Sequence, residues 1–528
     1  MSCAAGSFGL HTGRNSCRVC FARAPYDPGG SAVTGLDVPA LLGFAAVLVL
    51  ASALAVTARW FRRADLLPTP TEWALAGRRF GAVTTWFLLG GTIYTAYTFL
   101  AVPGVVYAQG AIGFFALPYT VIVYPLAFWL LPRLWREARD VGAVTVADVV
   151  RVRYDSPGLA LAVALTGILV TMPYVALQLL GIRSVLVVLG VYPAGVVGDL
   201  LLALVFAVLA VATYRNGIRA AAVIAFLKGV LVFAAIVVVM ALLGDPAEVF
   251  GKAERRAGAA DVVAGVDGGV VTTHLAPGLS SAYVSLAVGS ALALLVYPHV
   301  LTAAFAARGE QVLRRNSMAL LGWTAVLGLF ALLGVAAHGM GIVTGEGRAE
   351  LAVPMLVERL MPGWAAGLVF GALAIGALVP ASIMSVAAAM LFTRNVYVEY
   401  VNPNTTPKAQ NGIARVVSLL VKFGALSFAV LLPAQDTINL QLLGGVWVLQ
   451  TFAAVALGPV GRLLSAPGLL AGWAVGMLSG TLLVTSGGFS AVVVIGGFQV
   501  YAALVALAVN LLVAVVVSVL VDRVRRSG

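Results

Sequence analysis

The residues with chemistry to offer sit inside apolar stretches. Between Trp86 and Tyr107 the chain is apolar except for Thr92, Tyr94, Thr95, Tyr97 and Thr98, which run up to Pro103-Gly104. A proline removes a backbone donor and clashes with the preceding turn, so the peptide groups near Thr98 to Val102 are expected to lose their helical partners. In hydrocarbon such groups cost several kcal/mol each unless protein or a water-filled cavity satisfies them. Hydroxyls beside a broken helix therefore suggest a binding site for a small polar solute. A second interruption, Tyr297-Pro298-His299, falls within the apolar run from Tyr283 to Phe305. A neutral imidazole there suits a substrate or a coupling proton. Tyr174 and Gln178 share a helical face at i, i+4, and Gln441 precedes a Leu-Leu-Gly-Gly bend. An amide at lipid depth faces a partner or a cavity, so glue between helices and lining of a site are both open to these residues.

The candidate substrate-binding set is thus Thr95, Tyr97, Thr98, Tyr174, Gln178, Tyr297, His299 and Gln441. Three cations also lie within spans. Lys228 is near enough to the membrane edge to snorkel, Lys422 is too deep for that and suits carbonyl partners or an inner gate, and Arg183 stands near an outer helix end where it would attract anions. Nothing in the chain suggests an enzyme: it has no HExxH, no GxSxG in a strand-turn-helix setting, no P-loop and no paired carboxylates inside a span. The pair Cys17 and Cys20, with Cys3 and His11 nearby, is a weak metal or redox signal without a second pair. No resident cofactor is expected.

Lipid must be the solvent for the elements that hold these residues. Of 528 residues, 61% are hydrophobic and only 10% charged, and mean hydropathy is +1.02. A soluble domain does not bury that much apolar surface with so few charges. Apolar runs long enough for a membrane core of ~30 Å number about thirteen. They span roughly 38–58, 82–108, 112–132, 157–188, 196–214, 219–243, 281–305, 317–343, 363–392, 412–432, 436–458, 466–487 and 493–521. Residues 1–36 read as a polar tail, or as a start codon placed too early.

The net charge of +12 would raise nucleic acid as a partner in a soluble protein. Here the basic residues cluster in every second gap: Arg59, Arg62, Arg63, Arg78 and Arg79; Arg133 to Arg153; Arg215, Arg219 and Lys228; Arg308, Arg314 and Arg315; Arg394, Lys408 and Arg415; Arg462; and Arg523 to Arg526. That is the positive-inside pattern. It predicts a multi-pass protein of the cytoplasmic (inner) membrane with the N-terminus outside and the C-terminus cytoplasmic, and no nucleic acid partner. The stretch from Glu350 to Trp364 mixes apolar and charged residues at helical spacing, as an amphipathic helix along the outer interface would. Gly472, Gly476 and Gly480 form a small-residue face for close helix packing.

Several stretches, taken together and in order, resemble the sodium:solute symporter family: EWALAGRRFG, YTFLAVPGVVYAQGAIGFFALPY, VTVADVVRVRY, MPYVALQLLGI, VYPHVLTAAF, VPASIMSVAAAMLFTRNVYVEY and INLQLLGGVWVLQT. Within it the likeness is to the bacterial monocarboxylate uptake permeases. The resemblance implies an all-α polytopic fold with a five-plus-five inverted-repeat (LeuT-like) core containing two broken helices. It divides the chain into a tail (1–36), an extra N-terminal helix (37–60), a first repeat (82–243), an external loop (244–280), a second repeat (281–458), two C-terminal helices (459–521) and a cytoplasmic tail (522–528).

Family members that bind sodium resemble one another in a cage of carbonyls from the first broken helix and hydroxyls on the eighth core helix. In this chain that implies Gly91 and Tyr94 for the first, and Ser382 and Ser385 for the second. Val379 and Pro380 stand where the hydroxyls would be sought, and Ile93 where some members carry an acid. Na+ and H+ both remain candidate coupling ions, with His299 on a proton route. The expected function is alternating-access import of a short monocarboxylate such as lactate or pyruvate. Another small organic solute of the same family (acetate or an amino acid), or a passive facilitator, is the alternative.

Overall fold

The computed structural model of the chain describes residues 36–58, 69–193, 195–258, 274–345, 347–431, 437–460 and 464–527. Cys3, His11, Cys17, Cys20, Arg59, Arg62, Arg63 and Arg462 lie outside the described residues. Helix boundaries follow from local chemistry. Ser156 caps the helix Pro157–Val188 by accepting from Leu159, and Pro157 sits at its first position, where the missing N–H costs nothing. Asp37 and Ser465 cap Val38–Thr57 and Ala466–Ser486 in the same way.

The principal helices are α1 (Val38–Thr57), α2 (Ala82–Ile93), α3 (Val102–Gln109), α4 (Ala116–Asp140), α5 (Pro157–Val188), α6 (Val196–Asn216), α7 (Ile218–Leu242), α8 (Ser280–Val296), α9 (Pro298–Phe305), α10 (Leu321–Gly339), α11 (Gly363–Phe392), α12 (Pro407–Leu431), α13 (Thr437–Val448), α14 (Ala466–Ser486) and α15 (Ala502–Ser527). Among the described residues ten helices are long and apolar enough to cross a membrane, or eleven when the bent pair α8 and α9 counts as one span; α2 and the start of α6 are shorter apolar helices. The protein is thus a polytopic, mostly helical membrane protein. Helix α11 is its axis: protein covers 94% of its most apolar stretch, against 28% for α1, α12 and α15. Those three expose Leu42, Leu420 and Leu512 on their outer faces, as lipid-facing helices do.

One expectation needs correction. The chain is not purely helical: Val492–Ile495 and Phe498–Tyr501 pair as an antiparallel hairpin, so the last apolar run becomes helix only from Ala502. The segment 244–280 contains the helix Pro246–Gly258. The amphipathic segment forms a helix over Ala352–Leu360, with Val353, Leu356 and Val357 buried against protein. The glycine face of α14 does pack closely. A Cβ at Gly472 would stand 2.5 Å from the Asn510 carbonyl, and one at Gly476 would stand 2.3 Å from Gln450 Oε1.

Candidate functional site

The first break lies upstream of its proline. Helix α2 stops where Tyr94 turns extended (φ −92°, ψ 101°). Residues Tyr97–Ala101 then form one wide turn, closed by Val102 N–H on the Tyr97 carbonyl, before α3 starts with Pro103 near its head. The backbone groups near the break are largely spoken for. Ala96 N–H donates to Gln178 Oε1 (3.0 Å), Tyr97 N–H to Thr95 Oγ1 (3.1 Å), and the N–H groups of Thr98 and Phe99 to the Thr95 carbonyl (2.8 and 3.3 Å). The N–H groups of Ala96 to Phe99 are thus engaged within the protein, so contact with a solute here falls to side chains.

The second break follows from proline directly. Tyr297 precedes Pro298 and must be extended (φ −61°, ψ 129°), and α8 and α9 meet at 49°. This bend sets Tyr297 and His299 beside Tyr174 of α5. The three rings lie 5.1 to 5.3 Å apart, centroid to centroid. The Tyr297 hydroxyl donates to the Gln441 carbonyl of α13 (3.1 Å), and Tyr97 packs edge-on against Tyr119 of α4.

Thr95, Tyr97, Thr98, Tyr174, Gln178, Tyr297, His299 and Gln441 are all buried. Five atoms or ring nitrogens among them find no protein partner: the Tyr97 hydroxyl, the Thr98 hydroxyl, both nitrogens of His299 and Gln441 Oε1. Buried polar groups are nearly always satisfied. The hydroxyls and the imidazole among these groups are neutral and able to donate hydrogen bonds to a carboxylate.

Of the proposed ion-coupling residues, Gly91 and Tyr94 turn their carbonyl oxygens to one point. The residue of α11 facing Gly91 is Val379, whose Cγ1 would lie 3.4 Å from a Cβ on Gly91. Ser385 donates to its own helix, at the carbonyls of Ala381 (2.6 Å) and Ser382 (3.1 Å). The Tyr94 hydroxyl joins a network with Tyr124, Thr324 and Thr120. Sequence reasoning misplaced Lys228. It is fully buried and does not snorkel; its ammonium donates to the carbonyls of Gly91 (2.8 Å), Tyr94 (2.5 Å) and Gly376 (2.8 Å). Tyr501, at the end of the hairpin, was missed; its hydroxyl donates to the Leu442 carbonyl (2.6 Å). Lys422 is buried, and Arg183 is exposed with its guanidinium over the Tyr192 ring.

The two faces of the molecule differ. On one, a cavity of about 710 Å³ is lined by Val105, Gln109, Leu286, Thr344, Asn439 and Leu442. Leu442 neighbours Gln441, so one turn of α13 serves both this vestibule and the buried cluster. The other face is held shut by polar bonds. Asp148 accepts from Arg394 (3.1 Å) and Asn395 (2.8 Å), Arg153 pairs with Glu137 (2.5 Å), Arg219 with Glu72, and Arg136 with Glu310 (2.6 Å). Phe80 and Ala307 bridge the start of α2 to the end of α9.

Known proteins share both sequence and fold with this chain. The model of the sodium:solute symporter family matches residues 73–465. A monocarboxylate transport permease protein of Rhizobium johnstonii is 44% identical over 498 residues, covering 92% of this chain and 98% of the relative. The uncharacterized symporter YodF of Bacillus subtilis is 32% identical over 73% of this chain and 76% of its own length. Among solved structures, a Na+-coupled sialic acid symporter in a substrate-bound outward-open state superimposes with a TM-score of 0.73 at 15% identity, covering 91% of this chain and 98% of the other. At that identity the match speaks for the fold.

Proposed function

We propose that this chain, which belongs to the sodium:solute symporter family, imports a short monocarboxylate such as lactate or pyruvate by alternating access. It is a transporter and not an enzyme. The observation that carries the substrate reading is the set of buried, partnerless donors at the two breaks: the Tyr97 and Thr98 hydroxyls and the His299 ring. Hydroxyl and imidazole N–H groups suit a carboxylate, and the apolar rings of Tyr174 and Tyr297 suit the short carbon chain behind it. The permease name of the Rhizobium johnstonii relative supports the same class of solute.

In this reading the vestibule opens to the outside and the face carrying Asp148, Arg308 and Arg394 is cytoplasmic, supported by its basic residues. Thirteen passes follow if α2 with α3, and α6, are each taken as one span. The two broken elements then open two inverted repeats, 82–243 and 281–458. That topology puts the N-terminus outside and the C-terminus inside.

The test is uptake of labelled pyruvate or lactate into liposomes holding the purified protein, with an imposed Na+ or H+ gradient and with or without membrane potential. Saturable accumulation above equilibrium supports the reading. Equilibration without accumulation under every gradient indicates a passive facilitator. Failure of both acids to enter, with acetate or an amino acid accumulated instead, moves the chain to another solute of the family.

A further inference from the structure

Lys228 reaches from the middle of α7 into the gap of the first broken helix, with no exposed surface. Its three N–H donors are matched by three carbonyl oxygens, those of Gly91, Tyr94 and Gly376, at 2.5 to 2.8 Å, and the Phe99 ring lies 5.3 Å from the nitrogen. Among the described residues no carboxylate forms an ion pair with it. Each of the three oxygens is one that the local backbone leaves without its helical donor. The Gly91 carbonyl would take the N–H of Thr95, but the chain is extended at Tyr94. The Tyr94 carbonyl would take the N–H of Thr98, which has turned to the Thr95 carbonyl. The Gly376 carbonyl would take the N–H of residue 380, and that residue is Pro380, which has none.

Three orphaned carbonyls from two helices converging on one point form a site for a small hard cation; unwound backbone carbonyls in transporters serve sodium or protons in this way. Here a primary ammonium already stands at the point of convergence. A sodium ion would have to share its oxygens and sit against its charge. Where the resemblance looks for hydroxyl ligands, Val379 faces Gly91 and Pro380 brings no hydroxyl.

We infer that Lys228 is a tethered cation that fills the carbonyl cage at the first helix break in place of a sodium ion, and that transport by this chain does not require sodium. The inference rests on the chain being a transporter and not on which acid it carries. Filling the cage also cross-links α2, α7 and α11 through one side chain, whose length and charge are therefore both used.

The experiment reads sodium binding without substrate. Thermal unfolding of the purified full-length protein is measured in sodium chloride and in N-methylglucamine chloride at equal ionic strength, beside saturation binding of radioactive sodium. The expected result for the native protein is no sodium-dependent shift in Tm and no saturable binding. Lys228→Ala keeps the three oxygens and empties the space between them, so it is expected to gain a saturable, sodium-dependent rise in Tm. Saturable sodium binding by the native protein overturns the inference, as does a folded Lys228→Ala protein that sodium leaves unchanged. If Lys228→Ala does not fold, the native protein still decides: pyruvate accumulation in liposomes at fixed pH and potential is expected to be equal in the two media, and a sodium requirement overturns the inference. A protein that moves neither pyruvate nor lactate refutes the monocarboxylate reading alone, since the binding measurement uses no acid.

Discussion

Replacing Gln178 by leucine tests whether the first break is held by other helices. Gln178 Oε1 accepts from Ala96 N–H at 3.0 Å, and Gln178 Nε2 donates to the Tyr174 carbonyl at 3.2 Å. The 3.4 Å approach of Nε2 to Thr95 is too long to count for much. Hydrogen bonds between membrane helices average only about 0.6 kcal/mol, because groups parted in the membrane find other partners. Ala96 N–H has no such choice: the Thr95 carbonyl already takes Thr98 and Phe99, and the Thr95 hydroxyl takes Tyr97. The change therefore costs the penalty of an orphaned buried donor, about 1–3 kcal/mol. Borne by the assembled site, that is a rise in KM of about 5- to 150-fold at 1.4 kcal/mol per factor of ten. Pyruvate uptake in liposomes and thermal unfolding in detergent would read it. Ser184→Ala is the control, since that hydroxyl on the same helix donates only to its own turn, at the Leu180 carbonyl. If Gln178→Leu melts and transports as Ser184→Ala does, the break is not held by Gln178.

The other expectations concern the site, a helix contact and the closed face. Tyr97→Phe removes a buried hydroxyl with no protein partner but keeps the ring against Tyr119. It should raise the KM for pyruvate about tenfold or more, the ~1.5–3 kcal/mol of a hydrogen bond to a charged group, with Tm unmoved; an unchanged KM removes Tyr97 from the site. Gly334→Ala places a Cβ 2.3 Å from the Pro103 carbonyl, which is backbone and cannot step aside, so both Tm and uptake should fall sharply. At Gly328 the nearest atom is the flexible Leu117 Cδ2 at 3.0 Å, and alanine there should be tolerated. Glu72→Gln takes the counter-charge from the part-buried Arg219 and should cost about 1–3 kcal/mol of stability. Glu310→Gln, in a pair open to solvent and screened by salt, should leave Tm unchanged.

Much of the fold could be read from apolar run length, because span length is dictated by bilayer thickness. The runs 157–188 and 363–392 coincide with Pro157–Val188 and Gly363–Phe392, each opened by a proline at or just before its first turn. The hairpin escaped because Val492–Ile495 and Phe498–Tyr501 lie inside an unbroken apolar stretch, where periodicity cannot separate strand from helix. Only Gly496-Gly497 marks the turn. The first break was expected near Pro103 but falls at Tyr94, because the wide turn Tyr97–Ala101 absorbs the proline without ending the helix. Lys228 was misread for a related reason: distance from a span's end says how far a side chain must reach for water, but not that carbonyls orphaned on two other helices stand nearer.

The small size of the proposed solute constrains how the site must work. A ligand of six heavy atoms, such as pyruvate, supplies at most ~9 kcal/mol at the ceiling of ~1.5 kcal/mol per atom. Opening the closed face must at least part Asp148 from Arg394 and Asn395, two bonds to a charged group worth about 1.5–3 kcal/mol each. A ligand shifts a two-state equilibrium only by the difference in its affinity for the two states. So small an acid can meet a cost of that order only if nearly all its atoms are contacted in one state and not in the other. That is a reason for the donors to lie deep among Tyr174, Tyr297 and His299, in a cluster with almost no exposed surface, and not in the open vestibule, where an acid would keep its water and gain little. It is also a reason for the same break that presents Tyr97 and Thr98 to be tied to α5 by Gln178 and to α7 and α11 by Lys228. Contact with the solute is then felt at once by the three helices against which α2 and α3 must move.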